Sequence, residues 1–170
     1  MGTLEPERVA DELLADSLQA LPLLDTAAGL LGHERPRLLD VGSGAGLPGI
    51  PLALARPAWR VTLLEPRAKR VKFLTAARLL LRRPDIDVVE GRLEDVSAAF
   101  DLCVSRAVFE PATWLELASK VTADRGFALL YFSERSEPPA SDAARLGWSS
   151  VARRLYRSPS GWRGVSLLRR

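Results

Sequence analysis

Between Leu4 and Leu31 apolar residues return at spacings near 3.6, at Leu4, Val9, Leu13, Leu14, Leu18, Leu21 and Leu24. That period predicts a helical segment over residues 4–31. Pro22 is expected to break or kink it, because an interior proline removes a helix hydrogen bond and crowds the preceding turn. Gly29 and Gly32 mark its end, and His33 to Pro36 reads as a loop. From Arg37 the pattern changes to short apolar runs separated by helical stretches. Strands are expected at Arg37 to Val41, Arg60 to Glu65, Ile86 to Val89, Phe100 to Ser105 and Phe127 to Phe132. Helices are expected at Pro48 to Ala55, Arg67 to Arg82 and Pro111 to Val121. Residues 133–145 read as a loop leading to a short helix. Val151 to Tyr156 and Gly164 to Leu168 read as a terminal antiparallel pair.

Strands alternating with helices imply βαβ units, a mostly parallel sheet and right-handed crossovers. The expected fold is α/β and Rossmann-like, with helices on both faces and an antiparallel C-terminal strand pair. Residues 1–36 form a helical segment ahead of the sheet domain, 37–170. In such sheets ligands sit beyond the carboxyl ends of the strands. The glycine-rich turn, Glu65 and Ser105-Arg106 all fall at such ends, so one crevice is expected to gather them.

Composition narrows the choices. A chain of 170 residues suits one domain that needs no disulfide or metal staple. Cys103 and His33, each the sole residue of its kind, build neither a disulfide framework nor a zinc site. No metal is expected. Cys103 reads as a buried small hydrophobe and His33 as a solvated loop residue. The first ten residues carry Glu5, Glu7 and Arg8 and lack a secretory signal's apolar segment. Apolar runs stop well short of 18 residues, so no membrane span is expected, and the scarcity of cysteine fits a reducing cytosol, hence an expected cytoplasmic location. The net charge of +3 hides an asymmetry: residues 1–36 hold seven acids and two bases, whereas 37–170 hold 22 bases and 14 acids. A basic body attracts polyanions such as nucleic acid, although an arginine-rich surface also serves solubility alone.

Chemistry concentrates at the strand ends. Asp40-Val41-Gly42-Ser43-Gly44-Ala45-Gly46 runs from a strand into a turn whose glycines permit positive φ and close approach to a ligand. Asp40 is placed to order that turn or to face a ligand amine through water. Gly44 to Gly49 also matches the dinucleotide pattern, but the register starting at Gly42 fits better and carries no pyrophosphate requirement. Glu65, 23 residues after Gly42, is placed to accept the two ribose hydroxyls of an adenosine. Its alternative role is a charge at a helix start. Arg92-Leu93-Glu94-Asp95 follows the third strand, where an acid can reach an adenine; it also suits a plain turn. Arg106 is a candidate for a substrate phosphate or a methionine carboxylate, with a surface ion pair as the alternative.

These segments resemble the bacterial 16S rRNA guanine-N7 methyltransferase family, RsmG or GidB (glucose-inhibited division protein B). The resemblance rests on Leu39 to Leu52, above all its Leu47-Pro48-Gly49-Ile50-Pro51 tail. Leu64-Glu65-Pro66, Lys69 to Leu74, Arg92-Leu93-Glu94, Val104 to Ala107 and Asp16-Ser17-Leu18 agree with it. It implies a class I S-adenosylmethionine-dependent methyltransferase with ribosomal RNA or the small ribosomal subunit as partner. The cofactor contacts it implies are Gly42, Leu47, Glu65, Pro66, Arg67, Leu93, Glu94 and Arg106. Asp40, Gly44 and Gly46 join them from the turn itself. Arg67, Lys69, Arg70 and Lys72 open a helix beside the crevice and suit RNA phosphates or an ordinary solvated helix face.

Guanine N7 carries a free lone pair, so methylation there requires no general base, and no catalytic side chain is assigned. Arg106 remains a positioning candidate. Leu13 and Leu14 stand where the family has a histidine, and Tyr131 to Glu134 where it often has lysine and glycine. These departures keep open a methyltransferase of a small molecule or protein, or a non-catalytic binding paralogue. A nicotinamide dehydrogenase is disfavoured by the lack of a proton donor at a strand end. Trp148 and Trp162 are candidates for stacking a base or for packing.

Overall fold

A computed structural model describes residues 6–133, 140–159 and 161–170. Leu4 and residues 134–139 of the expected loop lie outside it. Seven strands form one sheet in the order β3-β2-β1-β4-β5-β7-β6. They are β1 (Arg37–Val41), β2 (Arg60–Glu65), β3 (Asp87–Glu90), β4 (Phe100–Ser105), β5 (Thr122–Ser133), β6 (Ser149–Ser158) and β7 (Gly161–Arg169). The first five run parallel, and β7 joins β5 antiparallel with β6 at the outer edge. The expected terminal pair is thus part of the main sheet.

The helices are α1 (Pro6–Leu18), α2 (Leu21–Leu31), α3 (Gly49–Ala55), α4 (Ala68–Leu80), α5 (Pro111–Val121) and α6 (Ala140–Arg145). Side chains alternate across the strands and feed two cores. Leu38, Leu63, Val104, Leu129 and Val165 pack against Leu23, Leu24, Ile50, Leu52 and Leu74 of α2, α3 and α4. Leu39, Val41, Leu64, Leu130 and Leu168 pack against Trp114, Leu115, Ala143 and Trp148 on the other face. Burial on both faces explains why the central strands read as unbroken apolar runs.

Several boundaries differ from the sequence pattern. The leading helical stretch divides at Gln19–Ala20, and Pro22 lies in the first turn of α2, where a missing N–H costs nothing. Arg67 is the extended residue ahead of α4 rather than its first helical residue. β5 starts at Thr122 directly after α5, five residues before the apolar run begins. No helix among the described residues is long and apolar enough to cross a membrane.

Candidate functional site

The crevice opens at the carboxyl ends of β1, β2 and β4. Gly42, Gly44 and Gly46 have φ of 73°, 58° and 88°, a left-handed path that side chains resist. The N–H groups of Gly42 and Ser43 donate to the Leu64 carbonyl at 2.8 and 3.1 Å, pinning the turn to β2. Below it, the buried Asp40 accepts the Gly49 N–H on Oδ2 at 3.0 Å. A Cβ on Gly49 would lie 2.6 Å from that oxygen, so the Asp40–α3 approach admits only glycine. Asp40 Oδ1 has no hydrogen-bond partner among the described residues. Burial pushes the Asp40 carboxyl up to about 7, opposed by the Gly49 N–H. The Asp40 side chain thus holds the first residue of α3, directly behind the glycine turn.

Glu65 is 2% exposed. Its Oε2 accepts the Gly44 N–H at 2.9 Å and its Oε1 accepts the Arg67 N–H at 3.1 Å. One carboxylate therefore ties the glycine turn to the entry of α4. Each oxygen keeps a second lone pair. Arg70 Nη1 stands 3.8 Å away. Lys69 and Lys72, one and two residues from Arg70, project from other sides of α4. Of the four bases that open this helix, Arg67 and Arg70 lie nearest the turn.

A slot of about 230 Å³ lies beside Gly42, walled by Val41, Leu64, Pro66, Leu93, Val108 and Phe109, with Glu94 and Arg92 at its rim. Leu93 is buried and Glu94 exposed, on a single 3₁₀ turn over Leu93–Asp95. Val108 packs on Gly42, where an added Cβ would lie 2.7 Å from Cγ2. Whole small-molecule sites measure about 300–1,000 Å³, so the slot suits the base and sugar of a nucleoside rather than a full cofactor. At Gly44 an added Cβ would come no nearer than 3.4 Å to Arg70 and meet little else. These features fit the adenosine end of S-adenosylmethionine.

Val108 and Phe109 also wall a second cavity of about 670 Å³. Leu13 and Asp16 of α1, Arg106, Tyr131, Tyr156, Trp162 and Arg163 line it. Arg106 does not project freely into this space. Its Nε lies 3.1 Å from Asp16 Oδ2, and its Nη1 donates to Ser17 Oγ at 3.0 Å and to the Leu13 carbonyl at 3.2 Å. Asp16 also receives Arg163 Nη1 at 3.3 Å and the Tyr156 hydroxyl at 2.5 Å. The Tyr131 hydroxyl donates to the Ser17 carbonyl at 2.7 Å. Burial pushes both tyrosine hydroxyls above their ordinary range. Sequence reasoning named Arg106 but missed Asp16, Tyr131, Tyr156 and Arg163 as its surroundings. Only the Asp16-Ser17-Leu18 motif hinted at them.

A match to the rRNA small subunit methyltransferase G (GidB) family spans residues 1–147. The chain belongs to that family. Ribosomal RNA small subunit methyltransferase G of Nitrosospira multiformis is 40% identical over 133 residues, 77% of this chain and 56% of the relative. Its counterpart in Polynucleobacter asymbioticus is 32% identical over 143 residues, 82% of this chain and 63% of the relative. The chain therefore spans less than two thirds of the length of these family members. Among solved structures, magnesium protoporphyrin IX methyltransferase of Synechocystis PCC 6803 with bound SAM superposes with a TM-score of 0.72. That match covers 99% of this chain and 86% of that one at 16% identity, which establishes the shared methyltransferase fold. β6 and β7 lie beyond the residues matched to the family.

Proposed function

We propose that this chain is an S-adenosylmethionine-dependent methyltransferase that acts on N7 of a guanine in 16S ribosomal RNA. The observation that carries this is the shared wall of Val108 and Phe109. It sets a nucleoside-sized slot against a larger polar cavity, an arrangement suited to a cofactor facing its acceptor.

Gly42, Gly44, Leu47, Glu65, Pro66, Leu93 and Glu94 would hold the adenosine end, and Asp40 and Gly46 keep the turn in shape. When bound, S-adenosylmethionine supplies an electrophilic methyl group on a sulfonium. Within the acceptor cavity Tyr131 and Tyr156 are held protonated and Asp16 is committed to Arg106, Arg163 and Tyr156, which leaves the exposed Glu110 as the remaining carboxylate among its described lining. A nucleophile that needs no deprotonation, such as guanine N7, suits that cavity. Rate acceleration then comes from alignment and electrostatics. Arg106, held by α1, acts as a positioning residue on the cavity wall. An acceptor in the small ribosomal subunit implies work in the cytoplasm.

Calorimetry with S-adenosylmethionine followed by labelling of purified 16S rRNA tests the proposal. Wild-type protein should bind the cofactor and label the RNA, and Gly42→Asp should abolish both. Turnover of a small molecule or protein with no RNA label would overturn the substrate assignment. Binding without transfer to any acceptor would overturn the activity.

A further inference from the structure

The β6–β7 hairpin carries an unusual charge balance. From Ser149 to Arg169 there are five arginines and no acidic residue. Its tip also runs past the end of β5, whose last residue, Ser133, pairs with Arg163. Ser105, the end of β4, is level with Leu130, and Leu130 pairs with Ser166. Gly161 lies five residues further along, so the tip reaches roughly 16 Å past the end of β4, at the same edge as the crevice.

Register fixes which side chains share a face there. Arg157 pairs with Trp162, Leu155 with Gly164 and Arg153 with Ser166, while Gly164 also pairs with Phe132. The Phe132 ring packs on Gly164, and the Arg153 guanidinium lies 5.2 Å from the ring centroid. Leu155 and Trp162 are 54% and 53% exposed. The other three tryptophans, Trp59, Trp114 and Trp148, are buried. One sheet face thus interleaves an exposed indole, a ring-supported guanidinium and a second arginine, and Trp162 simultaneously lines the acceptor cavity. Flat aromatic surface beside arginines is the chemistry that holds single-stranded nucleic acid, by stacking bases and neutralising phosphates.

We propose that this hairpin tip is an RNA-docking platform, on which Trp162 stacks a base neighbouring the methylated nucleotide while Arg153 and Arg157 hold phosphates. The assignment rests on the RNA reading above.

Because Trp162 is the exposed tryptophan, intrinsic fluorescence reports on it. Titration with purified 16S rRNA should quench the wild-type signal, and Trp162→Phe should lose the quenching. Trp162→Ala should raise the KM for RNA about tenfold, Trp162→Phe should recover most of it, and cofactor affinity and Tm should stay as in wild type. Replacing Arg153 and Arg157 by Ser should lower the slope of log affinity against log salt by about 1.4. An unchanged wild-type fluorescence, or a wild-type KM and salt slope in the variants, overturns the platform. So does equal quenching by polyglutamate or anionic vesicles. Should wild-type protein label no RNA, the activity proposal has failed, and quenching and salt slope still decide the hairpin.

Discussion

The Asp16 carboxylate on α1 lies 3.1 Å from the Arg106 guanidinium at the end of β4, with Arg163 of β7 at 3.3 Å on the same oxygen. Asp16 is 5% exposed and the Arg106 side chain 11%. Breaking a buried ion pair from one side leaves an uncompensated charge. Asp16→Ala should therefore cost about 3 kcal/mol in urea denaturation. It should also reduce RNA labelling by freeing Arg106. Unaltered stability would show that the pair is solvated.

Asp40 sets a pH dependence of stability. Its carboxyl titrates near 7 when folded and at an ordinary 3.8 when unfolded. Between those values the native state holds a proton that the unfolded state has lost, so stability falls as pH rises from about 4 to about 7 and then levels. The span approaches about 4 kcal/mol at most, at 1.36 kcal/mol per pH unit. Asp40→Asn keeps an acceptor for the Gly49 N–H and removes the titration. Urea midpoints at pH 5 and pH 8 should differ clearly in wild type and much less in the variant. Equal pH sensitivity in both proteins would refute the assignment.

Gly49→Ala places a methyl group against Asp40 and Leu63 in a packed core. Overpacking of this kind costs roughly 2 kcal/mol, and the same change should displace α3 from the glycine turn and weaken cofactor binding. Thermal unfolding and calorimetry together check this. A variant with wild-type Tm would mean that the backbone yields locally.

Glu65→Gln retains shape but replaces one acceptor oxygen with an amide donor facing the N–H of Gly44 or Arg67. One of those N–H groups then loses its partner, at about 1–3 kcal/mol. Affinity for S-adenosylmethionine should drop at least about tenfold, which is 1.4 kcal/mol. Binding as tight as wild type would remove Glu65 from the site.

The sequence carried the parts of this fold that are local. Leu38, Leu39 and Val41 running into Gly42 announce a buried strand and a turn, because strand burial and positive φ each leave a mark within a few residues. Pro22 marked the helix division but not its exact place at Gln19–Ala20, since a proline sits equally well inside the first turn of the helix that follows the break. Thr122 to Arg125 escaped notice because only Thr122 of the four pairs with β4, opposite Phe100, before the register shifts to Leu102 and Phe127. The surroundings of Arg106 were illegible for another reason. Ser17 lies 89 residues away and Leu13 93, so no window along the chain holds both partners.

That long separation bears on how the protein is made. Asp16 meets Tyr156 across 140 residues of chain. During synthesis the first helix emerges with an acidic group whose aromatic and cationic companions do not yet exist. The cluster around Asp16 is therefore complete only once the β6–β7 hairpin has been added. The wall that Tyr156 and Arg163 give to the larger cavity thus depends on the last two strands, and contacts of such span lower the folding rate of a chain.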